Sequence, residues 1–261
     1  MGPPPADRPG DAARLRHLFH AAPLRVLFPE PDPGDPRVAA LANVSGGLAG
    51  GDSLAIEARA EAGACLTLTT PAAEKLYRSL GEETRVAARL VLGAGATLEW
   101  LPQETILFDG ARLARRLEVE MAPDARLLAA EMLVLGRAAH GERFRRGALA
   151  DAWRVRRGGR LAWADGLRLP DDPYGALGGP FGLGGAGALA TLLLAAPDAA
   201  RHRGLARDLA GGAASLPAPG LLVARWIGEA GVVRAGLRAA VAALRAAALG
   251  LPPRLPRLWT I

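Results

Sequence analysis

The sequence is poor in several side chains, and each scarcity excludes a class of protein. It has one cysteine, Cys65, which excludes an intramolecular disulfide and a structural zinc site built on cysteines. Its longest apolar run, from 186 to 197, is too short for a bilayer, which requires about 20 residues. Its first residues lack the pattern of a charged start, an apolar stretch and a cleavage site. These absences predict a cytoplasmic protein with no membrane contact.

Polar side chains other than arginine are unusually rare. Against 31 arginines the chain has one lysine, Lys75, one asparagine, Asn43, and one glutamine, Gln103. A composition so rich in Ala, Arg and Gly indicates mutational bias, so side chains that escape the bias are informative. They lie in the three polar stretches NVSGGLAGGD (43–52), TTPAAEKLYRS (69–79) and EWLPQETILFDG (99–110).

Positive charge is concentrated at the C-terminal end. The formal net charge is +6, but residues 201–261 carry nine arginines against Asp208 and Glu229, or +7, so the first 200 residues sum to −1. The region has no interleaved aromatics, zinc-finger spacing or RNA-binding strand motif. We therefore expect a solvated helix face or a docking surface for an acidic protein, and no nucleic-acid partner.

Residues 38–170 consist of short apolar or alternating runs separated by Gly, Asp and Pro, the pattern of consecutive β-strands. The runs predict strands at Ser53–Ala60, Cys65–Thr70, Thr84–Leu92, Thr97–Leu101, Arg112–Glu120, Arg126–Leu135 and Leu161–Leu169.

A turn-and-strand signature recurs within this region. Its leucines, Leu66, Leu98, Leu127 and Leu161, lie 32, 29 and 34 residues apart. A period near 30 favours stacked β-layers over an ordinary antiparallel sandwich, which stays open as the alternative. The predicted fold is mostly β, with stacked, β-solenoid-like sheets and a few C-terminal α-helices.

After residue 170 the pattern changes. A Gly/Pro-rich loop at 171–187 precedes strands predicted at 188–195 and 221–227. Helical elements are expected within 198–250. Asp198 should cap a helix at 198–209, and an amphipathic helix at 232–249 should show its arginines to solvent or a partner.

The ends of the chain give two further expectations. Pro-rich residues 1–20 are predicted to be a disordered lead-in to a single β-rich domain at 21–261. Near the other end, Trp259 should anchor the tail.

Motifs for common chemistry are weak. The glycine-rich run at 46–52 leads into a strand and lacks the lysine of a phosphate loop, so we expect a turn with positive φ. Cys65 is expected in the core. The four histidines form no metal-ligand pair, and His140 with Glu142 is expected to be a hydrogen-bonded structural pair.

Carboxylates stand out because they interrupt apolar strands and turns. They are Asp52, Glu74, Glu99, Glu104, Asp109, Glu131 and Glu142. Buried carboxylates require partners or water. Lys75, Arg78 and Arg137 could pair with part of the set, or some members could line a wet passage that lets a cation through without trapping it.

Several segments together resemble the UreD (UreH) family of urease accessory proteins. NVSGGLAGGD, LTTPAAEKLYRS, GATLEWLPQETILFDGAR, LLAAEMLVLGRAAHGE and PRLW are similar to the family's signature blocks, in the family's order, over about residues 38–260. The scarce asparagine, glutamine and lysine fall inside these blocks. Two features depart from the family pattern: Pro71, and a loop at 177–187 that is richer in glycine.

The resemblance implies a non-enzymatic chaperone of urease maturation. Its partners would be a UreF-type accessory protein, a nickel-carrying UreG-type GTPase bound through it, and apo-urease. Nickel would be transient cargo that passes through an internal tunnel, and no cofactor would be held permanently. The polar signature residues are Asp52, Glu74, Lys75, Gln103, Glu104, Asp109, Glu131, Arg137, His140 and Glu142. Transient nickel contacts are expected at Asp52, Glu104, Glu131, His140 and Glu142.

An enzymatic alternative also stays open. A β-scaffold hydrolase or lyase would use Glu104 or Glu131 as general base and His140 as acid. It requires these three side chains to converge in one open pocket.

Overall fold

The computed structural model describes residues 14–179 and 182–260. Strands make up 43% of the described residues and helices 17%, so the protein is mostly β, as predicted. The strands are β1 (Leu24–Leu27), β2 (Arg37–Asn43), β3 (Ser53–Ala60), β4 (Cys65–Thr69), β5 (Glu74–Leu76), β6 (Thr84–Leu92), β7 (Thr97–Leu101), β8 (Thr105–Leu107), β9 (Arg112–Met121), β10 (Arg126–Leu135), β11 (Ala148–Arg157), β12 (Arg160–Leu169), β13 (Ala188–Ala195), β14 (Ala214–Ala218) and β15 (Leu221–Gly228). The α-helices are α1 (Pro173–Gly178), α2 (Arg203–Leu209) and α3 (Ala230–Leu249).

The strands form two sheets between which the chain alternates. The first sheet has ten strands, in the order β1-β2-β4-β7-β10-β13-β15-β14, with β8 beside the far half of β10 and β5 beside β8. The second has five, in the order β12-β11-β9-β6-β3. The chain winds through four successive coils. Each coil runs first through the first sheet and then contributes one strand to the second sheet. Strands of neighbouring coils pair in parallel. The stacked, solenoid-like layers are therefore confirmed.

The predicted repeat is correct for three of its four leucines. Leu66 pairs in register with Leu98, and Leu98 with Leu127, on adjacent parallel strands. Leu161 is an exception, because it lies in β12, which pairs antiparallel with β11 in the second sheet. Gly158 and Gly159 both have positive φ, so the chain reverses in a hairpin instead of starting another coil.

The space between the sheets holds two apolar clusters with charged side chains between them. One cluster contains Leu98, Leu127 and Trp153, and the other contains Leu107 and Leu133. A third apolar cluster lies outside the first sheet, under α3.

Helix α3 covers the outer face of the first sheet with an apolar stripe that includes Leu237, Val241 and Leu244. The Glu229 carboxylate caps its first turn by accepting a hydrogen bond from the Val232 N–H at 3.1 Å. Gly250 ends the helix with φ 65°. No helix in the described ranges is both long and apolar enough to span a bilayer.

Several expectations at the C-terminal side need correction. The 198–209 segment is a 3₁₀ turn (Ala199–His202) followed by α2, and Asp198 makes no capping bond. Its carboxylate accepts instead from Arg126 at 2.6 Å. The expectation that α3 shows all its arginines is also wrong, since Arg245 is fully buried. The tail is anchored as predicted, with Trp259 buried.

Six strands lie outside the predicted set, and one of them is β2, whose apolar run shows no alternation. β5, β8 and the edge strands β1 and β14 are only three to five residues long, too short to show a period. β11 is long but carries charges on its outer positions. The loop at 171–187 contains the short helix α1, and its residues 180 and 181 lie outside the described ranges.

Of the predicted lead-in, residues 1–13 lie outside the described ranges and 14–20 have no regular secondary structure. The single domain at 21–261 stays a prediction.

Candidate functional site

The turns that lead from the first sheet to the second form one edge of the molecule. We call this edge, made of residues 44–52, 77–83, 108–111 and 136–147, the first corner. Parallel stacking places the same turn of every coil at the same edge. Seven of the ten predicted residues lie on this corner or in β5, just before it: Asp52, Glu74, Lys75, Asp109, Arg137, His140 and Glu142.

Asn43 and Glu74 join the first coil to the second. The Asn43 amide donates to the two Glu74 carboxylate oxygens at 3.0 and 3.1 Å, and its own oxygen accepts from the Ser45 N–H at 3.0 Å. Burial raises the pKa of Glu74, although the Asn43 bond opposes the shift. The chain's only asparagine therefore positions a half-buried carboxylate.

Asp52 and its glycines shape the turn of the first coil. Asp52 Oδ2 accepts a hydrogen bond from the Ala49 N–H at 2.8 Å. Gly46, Gly47 and Gly51 have φ of 81°, 153° and 91°, which confirms the predicted positive-φ turn.

Lys75 is exposed at the edge of β5, and its carbonyl accepts the Leu48 N–H at 2.7 Å. Nearby, Tyr77 stacks edge-on against Phe108 with centroids 5.2 Å apart, and Leu80 is fully exposed at the tip of the next turn. The corner and the adjoining β5 thus present an amine and apolar side chains to solvent.

Asp109, Arg137 and Glu142 brace the turns of the third and fourth coils. Asp109 Oδ1 accepts from the Arg145 and Arg146 N–H groups at 2.7 and 2.8 Å, and the Asp109 N–H donates to Glu142 Oε1 at 3.1 Å. Arg137 Nη2 lies 2.5 Å from Glu142 Oε2, and this hydrogen bond lowers the pKa of Glu142. These groups hold one another and the backbone.

His140 ends a 3₁₀ turn and is exposed. The expected pairing of His140 with Glu142 is wrong, because Glu142 is bonded to Arg137. Gly141, with φ 70°, turns the chain between the two residues.

Gln103 and Glu104 lie at the break between β7 and β8, away from the corner. The Gln103 amide donates to the Leu258 carbonyl at 2.7 Å, and Glu104 accepts from Arg234 of α3 at 2.6 Å. The chain's only glutamine therefore ties the sheet to the C-terminal tail.

Glu131 lies between the two sheets in a buried polar layer. Its carboxylate accepts from Trp100 Nε1 at 2.9 Å and lies 3.1 Å from Arg115 Nη2. Arg115 also binds Asp151 at 2.6 Å. Burial raises the pKa of Glu131, while Arg115 opposes that shift. One guanidinium therefore serves two buried carboxylates.

The sequence reasoning missed Arg115 and Asp151, although a signal for them exists. In β9, Leu113 and Leu117 point inward, so the period of two places Arg115 inward as well. In β11 the same pattern applies to Asp151, since Trp153 is buried on the same face.

Glu99 belongs to a second buried charge cluster, under α3. Arg245 donates to Glu99 at 2.7 Å and to Asp35 at 2.9 Å. Thr67 also donates to Glu99, at 2.5 Å. The structure pairs both Glu99 and Glu131 with arginines, but these are not the predicted partners. Of the predicted cations only Arg137 forms an ion pair within the described ranges, with Glu142.

The enzymatic alternative gains no geometric support. Glu131 faces the space between the sheets, Glu104 faces α3, and His140 lies on the corner. An open cleft of about 520 Å³ is lined by Arg145, Arg146, Asp171, Asp172 and Tyr174, and none of the three proposed catalytic residues lines it. Within the described ranges, no group of three or more His, Cys, Asp or Glu side chains is placed to hold a metal ion.

The fold and these braces define a class: a two-sheet β-solenoid scaffold whose polar side chains tie coils, helix and tail together. A family model described as the UreD urease accessory protein matches residues 6–260.

Similar proteins agree with this match. The chain is 52% identical over 238 residues to a urease accessory protein UreD of Granulibacter bethesdensis, covering 90% of this chain and 99% of that protein. It is 46% identical over 262 residues to a UreD of Magnetococcus marinus, covering 95% and 89%. It is 47% identical over 259 residues to one of Methylobacterium sp., covering 96% and 90%. The chain belongs to the UreD family of urease accessory proteins, which implies a role in urease maturation.

Proposed function

We propose that this chain is a cytoplasmic, non-enzymatic chaperone that assists nickel insertion into urease. It binds a UreF-type accessory protein, a UreG-type GTPase through it, and apo-urease. Nickel is its transient cargo, and no ion or cofactor is held permanently. The observation that carries the proposal is the family match over residues 6–260.

The surface of the first corner supports a binding role. Asp109, Arg137 and Glu142 are committed to bracing the turns, whereas Lys75, Tyr77 and Leu80 point outward beside them. A rigid rim around exposed amine and apolar groups suits recognition of a partner, because little ordering entropy is lost on binding.

The test uses a urease-producing strain that lacks this chain. We expect urease protein to be present but inactive and poor in nickel, measured by metal analysis of the purified enzyme, and activity to return with the wild-type chain. Co-expression with the two accessory proteins should give a soluble complex. Normal nickel content in urease from the deletion strain would contradict the proposal.

The route of the ion is a second part of the proposal. We take the layer of Glu131 and Asp151 as the part of the chain's interior that contacts a passing cation through carboxylate oxygens. In the described conformation both groups bind Arg115, so passage requires the Arg115 side chain to move away.

Glu131→Gln tests this route. Glutamine keeps the shape and can still accept from Trp100, while Asp151 stays paired with Arg115. We expect the partner complex to form and urease nickel content to fall sharply. The matched control is Glu61→Gln, at an exposed turn residue. Wild-type nickel content with Glu131→Gln would exclude the interior route and leave the assembly role intact.

A further inference from the structure

The outer face of the second sheet is open to solvent, which is unusual for parallel strands. Parallel sheets are normally covered on both faces. Here α3 packs outside the first sheet, whereas the outward residues of β3, β6, β9 and β11 are exposed or half-buried. We call these outward residues, together with those of β12, the outer face.

Arginine dominates the charge of this face. Exposed Arg59 and Arg89 lie beside the glutamates Glu57 and Glu120, at 4.0 and 3.2 Å. Glu118 is half-buried, in register with Arg89 on one neighbouring strand and Arg154 on the other. Five further exposed arginines make no ion pair within the described ranges: Arg85, Arg116, Arg154, Arg156 and Arg168. Arg112, also on this face, is paired with Asp171 at 2.7 Å. The remaining seven arginines against three glutamates give a net charge of +4, although the first 200 residues sum to −1.

The outer face is nearly flat between its arginines because the side chains that separate them are small. Ala55, Ala87, Ala114, Ala150 and Ala152 occupy outward positions in neighbouring strands. Guanidinium groups therefore stand above a flat floor, where each can reach a carboxylate of another molecule.

We infer that the outer face docks an acidic surface of a folded protein of the urease-maturation assembly; the inference rests on the function proposed above. Charge complementarity selects an acidic partner. The chemistry favours a protein over a nucleic acid, since the in-register row Glu57, Arg89, Glu118 and Arg154 alternates in sign and its glutamates would repel phosphates. The face also has no outward aromatic side chain on which a base could stack.

The size of the face is close to that of a standard interface. Five strands about 4.8 Å apart and eight to ten residues long cover roughly 700 Å². Stable complexes bury about 800 Å² on each partner. Because the recognition groups are charged, docking through this face should be salt-sensitive.

Four of the nine C-terminal arginines, in contrast, are paired within the chain, and they include two of the three arginines of α3. Arg225 pairs with Asp165, Arg234 with Glu104, and Arg245 with Glu99. The basic docking surface expected from the sequence is thus better supplied by the second sheet than by α3.

The test is the triple variant Arg85→Glu, Arg116→Glu, Arg154→Glu on three adjacent strands, which changes the charge of the outer face from +4 to −2. Binding of the full chain to purified UreF-type protein, to the complex of UreF-type and UreG-type proteins, and to apo-urease is measured by interferometry at several salt concentrations. For at least one of these probes, we expect association to slow by about tenfold or more at low salt, with a reduced salt dependence.

A matched control variant distinguishes an effect of where the charges lie from an effect of the total charge of the protein. Arg201→Glu, Arg203→Glu, Arg207→Glu makes the same charge change at exposed residues in and just before α2, and it should bind like wild type. The triple Arg→Lys variant of the outer face should retain most of the binding, and unfolding curves check that all variants fold.

The outcomes separate the two claims. If all three probes bind the outer-face variant like wild type, the docking inference is overturned and the proposed function stands. If wild type binds none of the probes, the proposed function fails and the inference fails with it. Equal loss in the α2 variant would also overturn the inference, because the effect would then follow total charge.

Discussion

Arg245 in α3 and Glu99 in β7 are 146 residues apart in the chain, yet their side chains meet in a fully buried ion pair with 2.7 Å between Nε and Oε1. The same guanidinium reaches Asp35 at 2.9 Å. The pair therefore fixes how the helix and the loop before β2 sit on the first sheet.

Breaking this cluster should be costly. We expect Arg245→Met to lower the free energy of unfolding by about 3–5 kcal/mol, because Glu99 loses its buried cation and Asp35 keeps only the partly exposed Arg254. Glu99→Gln should cost less, since Arg245 keeps Asp35. Urea unfolding measures both, and Arg238→Met on the same helix is the control. Equal stability of wild type and Arg245→Met would refute the prediction.

Trp259 should hold the C-terminal tail on the sheet. Its ring is buried and its Nε1 donates to the Leu101 carbonyl at 2.9 Å. Trp259→Ala should lower the free energy of unfolding by about 3–5 kcal/mol through the cavity left behind. Trp259→Phe should cost only about 1 kcal/mol, because it removes a hydrogen bond but little volume. Thermal or urea unfolding would detect the difference, and similar losses in the two variants would contradict it.

Two neighbouring glycines differ in how closely the fold surrounds them and in their backbone conformation, with φ 81° at Gly46 and 153° at Gly47. An added Cβ at Gly47 would lie 2.6 Å from the Tyr77 ring and 2.9 Å from the Lys75 carbonyl, whereas at Gly46 it would meet nothing within 4 Å. Both residues have positive φ. Gly46→Ala should therefore cost about 1 kcal/mol from strain alone. Gly47→Ala should cost clearly more in the same unfolding measurement, and an equal cost would exclude crowding at this turn.

Glu142 should contribute to stability in a defined pH range. Hydrogen bonding by Arg137 lowers its pKa below the ordinary 4.5, so the folded state holds the ionised carboxylate more strongly than the unfolded state does. Its contribution is complete above about pH 4.5 and is lost as the pH falls through the folded pKa.

We expect Glu142→Gln to reduce stability at neutral pH and to show a shallower loss below pH 4.5 than wild type. Unfolding curves between pH 3 and 7 provide the measurement, with Glu61→Gln as an exposed control. A parallel acid decline in wild type and Glu142→Gln would show that Glu142 does not contribute in this way.

The stacking of the strands was predictable because its signals are local. Alternating runs and glycine turns give strand bounds directly, and five predicted strands, among them β3, β6 and β10, have the predicted bounds. The turn signature that recurs about every 30 residues placed Leu66, Leu98 and Leu127 side by side. The hairpin at Leu161 broke this rule because a two-glycine turn resembles a coil turn in sequence.

The candidate site was predictable only in part. Asn43, Lys75 and Gln103 marked the right segments, because a polar side chain that is rare in such a biased composition is usually kept for a structural or functional reason. Their partners were not visible, because the Gln103 contact with the Leu258 carbonyl spans 155 residues. The tertiary arrangement of the tail decides such contacts.

By itself the sequence determined the β-rich class, the coil period and membership of the UreD family, because these depend on local alternation, turn chemistry and motif order. Only the tertiary structure decided that Glu99 and Glu131 are paired with Arg245 and Arg115, and that the uncovered arginine face lies on the second sheet. The physical reason is that burying a charge requires a partner within about 3 Å, and that partner is chosen by how sheets and helix pack.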